Sequence, residues 1–174
     1  MKRQEFLEKL KAEHRMFGFE NLIYIDETGF DAHCHRDAGW VTKGQKILGL
    51  ITGRRERRTN LIMAQRHGAK GRKKEWLAPM LFQGSCTAAL VETWVEHCLM
   101  KELDEPTIIV MDNASFHNQK RLQNIVAPDY HMIIPLPPYS PDFNPIEQTF
   151  GALKRRRQSM PEGTTIDQLI MSYS

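Results

Sequence analysis

Three acidic residues stand where phosphoryl-transfer chemistry would place them. Asp26 ends the apolar run Leu22–Ile25, and Asp112 ends the apolar run Thr107–Met111. Glu147 falls in the first turn of the helix entered from the proline-stiffened stretch LPPYSPDFNPIEQTFGALKRRR, Leu136–Arg157. Two carboxylates at the ends of buried strands and a third on a helix rim are what two-metal phosphoryl transfer needs. One ion serves the attacking oxygen and the other the leaving oxygen of an in-line displacement. Oxygen-only ligands suit Mg²⁺ or Mn²⁺, and no Cys or His cluster competes for the role. On this reading Asp26 and Asp112 are the principal ligands, Asp26 bridges two ions, and Glu147 serves the second. The structural alternative for Glu147 is a capping box, its side chain bonding back to the Asn144 N–H.

The surrounding elements must hold these acids. Pro135, Pro137, Pro138 and Pro141 fix φ and remove ladder donors, which predicts a rigid extended approach. Asn144 then reads as N-cap, Pro145 as the first helical residue and Glu147 as the third. Ile146, Phe150 and Leu153 recur at helical spacing and predict the buried face, while Lys154–Arg157 suits the negative helix end. Further predicted helices cover Gln4–Arg15, ended by Gly18, then Thr87–Glu102, residues 117–126 and Thr165–Tyr173. Leu90, Trp94, Val95, Cys98 and Leu99 form the apolar stripe of the second. Predicted strands cover Asn21–Asp26, Ile47–Thr52, Thr59–Gln65, Thr107–Asp112 and Met132–Leu136. Trp76–Phe82 is a further apolar strand whose Pro79 suits an edge or a bulge. Thr107–Asp112 is apolar except at its ends, which predicts a parallel strand covered on both faces.

Three blocks of this sequence together resemble the catalytic blocks of mariner-superfamily DDE transposases. They are Tyr24-Ile25-Asp26-Glu27-Thr28-Gly29-Phe30, Val110-Met111-Asp112-Asn113-Ala114-Ser115-Phe116-His117, and Leu136-Pro137-Pro138-Tyr139-Ser140-Pro141 with Asn144-Pro145-Ile146-Glu147. Thirty-four residues separate Asp112 from Glu147, the spacing of the bacterial insertion-sequence 630-type branch, with Glu as third acid. The likeness extends over about residues 20–157. Gly39-Trp40-Val41-Thr42-Lys43-Gly44 is similar to the family's Trp-containing block, and reads equally as a hairpin strand with a packed aromatic. Phe150 stands where the family usually has Trp.

The resemblance implies an α/β, ribonuclease H-like fold: a mixed five-stranded sheet with helices on both faces. It implies catalytic and metal-binding roles for Asp26, Asp112 and Glu147, with two Mg²⁺ or Mn²⁺ ions as cofactors. It also implies cut-and-paste DNA transposition, with 3′-hydroxyl ends attacking target DNA, usually at TA, and a homodimer in the active complex. On this view residues 1–20 are a lead-in and residues 21–174 the catalytic domain. Family members carry helix-turn-helix domains before this core, and about twenty residues precede the first strand here. A frameshift-fused second frame, a partner supplied in trans, or a decayed remnant would each account for that. Two alternatives stay open: another ribonuclease H-like nuclease of the resolvase type, and a non-catalytic DNA-binding remnant.

The totals agree with one globular domain. A chain of 174 residues can bury roughly 70% of its unfolded surface. Hydrophobic residues at 41% and charged residues at 26% are ordinary for a globular chain. The net charge of +3 is unevenly placed. Arg54, Arg55, Arg57 and Arg58 form one cluster, Lys70, Arg72, Lys73 and Lys74 a second, and Lys154, Arg155, Arg156 and Arg157 a third. Such clusters are candidate DNA contacts, or else solvated loops and helix ends. Asn113 and His117 are candidates to support the acids, His117 by orienting a phosphate or by a local hydrogen bond. His33-Cys34-His35 with Asp37 does not read as a metal site, because adjacent strand residues face opposite ways. Cys34, Cys86 and Cys98 make neither a disulfide framework nor a zinc ribbon. No apolar run is long enough to span a membrane, the N-terminus is not a signal peptide, and a reducing cytoplasm is expected.

Overall fold

A computed structural model describes residues 3–18, 21–31, 43, 58–66, 74–113, 118–161 and 163–173. Several sequence expectations lie outside these residues: the strand Ile47–Thr52, the His33–Asp37 and Trp40 segments, and His117. So do Arg54, Arg55, Arg57, Lys70, Arg72 and Lys73.

The helices are α1 (Arg3–Phe17), α2 (Ala88–His97), α3 (Gln119–Val126), α4 (Ile146–Ser159) and α5 (Ile166–Met171). The strands are β1 (Leu22–Phe30), β2 (Thr59–Arg66), β3 (Glu75–Gln83), β4 (Ile108–Met111) and β5 (Met132–Pro135). They form one five-stranded sheet in the order β3-β2-β1-β4-β5. β1–β2 and β2–β3 pair antiparallel, whereas β1–β4 and β4–β5 pair parallel. The sheet is therefore mixed, and its parallel half carries the helical crossovers that parallel pairing requires.

Side chains alternate across a strand, and the burial follows that alternation. Ile23, Ile25, Ile62, Ala64, Ile109 and Met111 face one core, covered by Val91, Trp94 and Val95 of α2 and Leu122 and Val126 of α3. Leu22, Tyr24, Leu61, Met63, Ile108 and Val110 face the other. That second core is closed by Phe6 of α1, by Ile146, Phe150 and Leu153 of α4, and by Leu169 of α5. Each large apolar side chain so buried contributes about 1.5–3 kcal/mol. All four residues of β4 are buried, as expected for a strand covered on both faces.

Several boundaries differ from the sequence reading. β1 runs four residues past Asp26, because β2 continues to pair with it as far as Phe30–Thr59. The helix expected over Thr87–Glu102 stops at His97, and a 3₁₀ turn, Leu99–Glu102, follows. Its buried face is Val91, Trp94, Val95 and Leu99, with Leu90 and Cys98 half-buried at the margin. α3 starts at Gln119, where the Asn118 side chain accepts from Arg121 N–H. Among the described residues β3 is an edge strand, and its register shifts opposite Ile62 and Ala64, so Pro79 interrupts no described pairing. At that bulge Ala78 takes φ +48°. Its carbonyl accepts from Trp94 Nε1 at 2.8 Å and its N–H donates to Glu102 Oε2 at 2.9 Å.

Candidate active site

The parity of the strands decides where the aspartates point. On β1, Leu22 and Tyr24 face the α4 side, so Asp26 belongs to that side. On β4, Ile108 and Val110 do the same, and Asp112 continues the alternation. The parallel register sets Tyr24 beside Val110, and each strand reaches its aspartate two residues later. Glu147 enters from above that face, in the first turn of α4.

Asp26 is the electrostatic centre of this group. Burial pushes its carboxyl up from 3.8 to about 7, and the charges of Glu27, Asp112 and Glu147 push the same way. The Glu27 N–H, donating to Asp26 Oδ1 at 2.8 Å, works against the rise. Asn144 Nδ2 donates to Asp26 Oδ2 at 3.2 Å. No cation pairs with Asp26 among the described residues. Among those residues, too, no three His, Cys, Asp or Glu side chains stand close enough together to enclose a metal ion. Like charges repel, and a group made of acids alone holds its members apart. The donor set still fits a hard divalent cation in its chemistry. It is oxygen-only, it raises the proton affinity of its buried member, and Asn144 Oδ1 is a buried acceptor with no partner.

Asn144 corrects one expectation. It is not a side-chain cap: the cap position of α4 is Pro145, without any side-chain cap bond. The Asn144 N–H is already taken by the Pro141 carbonyl at 2.8 Å, so a capping box has no donor to receive. Glu147 is exposed at the helix rim, and the Asn144 amide is spent on Asp26.

The approach to α4 is clamped from a distant part of the chain. Arg3 of α1 donates to Asp142 and, at 3.2 Å, to Ser140 Oγ. Its guanidinium lies 4.2 Å from the Phe143 ring centre, and Phe6 stacks on Phe143 at 5.5 Å. The Arg3 hydrogen bond holds the Asp142 carboxyl below its ordinary value.

The remaining sequence candidates divide. Asn113 is exposed and accepts from Gln119 Nε2. Arg58 lies across Gly29, its Nε 1.7 Å from where a Cβ would stand, so a larger residue there would displace the arginine side chain. Lys74, Lys154 and Arg155 are exposed. Arg156 is engaged with the Ser172 hydroxyl and carbonyl, both at 3.0 Å, and Arg157 with the Asp31 carbonyl at 2.6 Å. These two cations are partly committed to the fold, which the charge run could not reveal. Two participants had no sequence signal as site residues. Glu27 adds its charge to Asp26, and Cys86 has its thiol pushed up to about 11 by burial and by Glu27 and Asp112.

A family model described as DDE superfamily endonuclease matches residues 21–170, and the chain belongs to that family. Solved structures agree with the fold. The Mos1 transposase paired-end complex with left transposon end is 15% identical, with TM-score 0.72, over 98% of this chain and 53% of that one. The Mos1 mariner paired-end complex with Mn is 16% identical, with TM-score 0.70, over 98% and 53%. The catalytic domain of Mos1 mariner transposase is 13% identical, with TM-score 0.59, over 98% and 76%. The mixed five-stranded sheet with helices is thus the ribonuclease H-like fold of that catalytic domain. The chain spans about half the length of the paired-end structures it matches. No curated protein matches it. No described helix is long and apolar enough to cross a membrane.

Proposed function

We propose that this chain is the catalytic domain of a cut-and-paste DNA transposase of the insertion-sequence 630-type branch, with Asp26, Asp112 and Glu147 as its catalytic acids. The observation that carries this is Asp26, a carboxyl raised to about 7 by burial and by neighbouring acids, with no cation beside it among the described residues. Asp26 and Asp112 would hold divalent cations, with Glu147 completing the set. Bound there, such ions would activate an attacking oxygen and stabilise the leaving one. Solved Mos1 structures with Mn and with Mg support that choice of metal. The chain's own part is positional. The Glu27 N–H and the Asn144 amide each fix one oxygen of the half-buried Asp26. In cleavage, water adds to the phosphorus, the bond to the 3′ oxygen breaks, and that oxygen leaves with a proton as a 3′-hydroxyl. In strand transfer that hydroxyl attacks a target phosphorus in turn. The reading includes residues 21–174 as the catalytic domain, transposon ends and a TA target as substrates, and a homodimer. It also includes a helix-turn-helix partner, fused or separate, and a cytoplasmic setting.

Glu147→Gln tests the reading. The expected outcome is an unchanged fold, cleavage and strand transfer reduced to background, and weaker stabilisation by Mg²⁺ or Mn²⁺. Ligand binding to the folded state alone adds about 2.7 kcal/mol at a hundredfold excess over Kd. Melting curves with and without metal, beside a strand-transfer assay on a pre-nicked substrate, measure all three. An active Glu147→Gln protein would sink the assignment. A second reading, a non-catalytic DNA-binding remnant, is favoured by the spread of the acids, which do not converge on a shared ion position. A wild-type melting temperature indifferent to both metals would select it.

A further inference from the structure

Beside Glu147, on the next face of α4, runs a groove of about 700 Å³. Gln148, Ala152 and Arg155 line it from α4 at helical spacing, Lys74 and Trp76 from the start of β3, and Tyr173 from the far side. Among the described residues the charged side chains of its lining are Lys74 and Arg155, both cationic. Its aromatic wall is built rather than loose. Trp76 and Tyr173 stack at 5.2 Å, and the Arg156 guanidinium lies 5.6 Å from the Tyr173 ring centre. Arg156 is thereby part of the wall, while Lys74 and Arg155 carry no ion pair among the described residues.

Two further observations describe the floor and rim of the groove. Thr149, which lines the groove, donates to Gln65 Oε1, and Gln65, fully buried beneath it, keeps an amide nitrogen with no partner. Gln65 pairs across the sheet with Trp76, another lining residue. Arg155 also folds back along α4, since a Cβ on Gly151 would come 3.3 Å from its Nη1. Helical side chains lean towards the N-terminus in this way. Gly151 lies one turn on from Glu147, about 6 Å along the axis. Arg155 itself lies about 12 Å on, the rise of three or four base pairs along one strand.

We infer that this groove holds the phosphate backbone of the DNA running away from the carboxylates, with Arg155 and Lys74 on its phosphates. The inference rests on the reading of the chain as a DNA-cleaving domain, and adds to it the path of the substrate. Charge selects the occupant: a groove of cations and hydrogen-bonding side chains fits a polyanion, and a planar guanidinium fits phosphate bidentately.

Anisotropy of a labelled random-sequence duplex with the full chain, in chelator and over a salt series, tests it. Replacing Lys74 and Arg155 together by Ala should flatten the slope of log K against log salt by about 2. Ala152→Glu, which places an acid in the groove on an open helix face, should lower affinity by about tenfold or more. If the wild type binds duplex and neither groove variant changes its binding, the groove falls and the catalytic reading stands. A wild type with no duplex binding at low salt overturns both. If Ala152→Glu spares DNA binding but abolishes self-association in sedimentation, the groove is a contact between copies and the inference is wrong.

Discussion

Two sheltered carboxylates in this chain are treated in opposite ways. Glu92, on α2, is buried, and Arg121 of α3 reaches it with Nη2 to Oε2 at 3.2 Å. Asp26, on the other side of the sheet, receives two hydrogen bonds, three neighbouring acids and no described cation. A structural acid is matched where it is buried, because an uncompensated buried charge is costly. The fold compensates Glu92 internally and leaves Asp26 to be compensated from outside. That difference, more than acidity or burial alone, is what supports the role proposed for Asp26.

The comparison breaks most visibly if the fixed geometry of Asp26 is disturbed. Asn144→Ala removes the donor that orients Asp26 Oδ2. Loss of such a support to a metal ligand typically costs about 10–100-fold in metal affinity or activity. The expected outcome is a drop of that size in cleavage rate and in Mg²⁺ affinity, with α4 intact, read by a nicking assay and a metal titration. An unchanged metal affinity would reduce Asn144 to a structural tie.

Arg121→Ala would turn Glu92 into a second uncompensated acid. Leaving such a group without its partner costs about 1–3 kcal/mol, the lower end being expected because Arg121 is itself largely exposed. Glu92→Gln added to Arg121→Ala should recover part of the loss, and denaturant melts of the two variants measure it. Cleavage should be untouched by either.

A further test sharpens the comparison through pH. In metal-free protein the Asp26 carboxyl titrates near 7 when folded and near 3.8 when unfolded. Between those values the folded state holds a proton that the unfolded chain has released. Stability therefore falls as pH rises through this window, and the penalty is complete above about pH 7. Asp26→Asn should remove that contribution, so its melting temperature in chelator should match or exceed the wild type at pH 8 and gain least at pH 4. Thermal melts at the two pH values decide it, and a variant less stable than wild type at pH 8 would contradict the assigned burden.

Much of the layout of the candidate site was legible along the chain, for local reasons. Strand alternation alone sends Asp26 and Asp112 to one face, because each follows an apolar run whose even-numbered members face α4. The spacing of Ile146, Phe150 and Leu153 fixes which side of α4 is buried, and hence that Glu147 stays at the rim. Pro79 announced the edge strand. What tertiary structure decided are choices between partners that local sequence leaves equal. Asn144 could cap its own helix or reach across 118 residues to Asp26, and in the fold its Nδ2 makes the second choice. Arg155, Arg156 and Arg157 read as one charge run, yet Ser172 and Asp31 engage two of them and leave the third to the groove. Glu92 and Asp26 are both acids sheltered by apolar neighbours in sequence. Only the packing of α3 against α2 supplies one with an arginine, because a buried charge is compensated by what folds next to it, not by what precedes it in the chain.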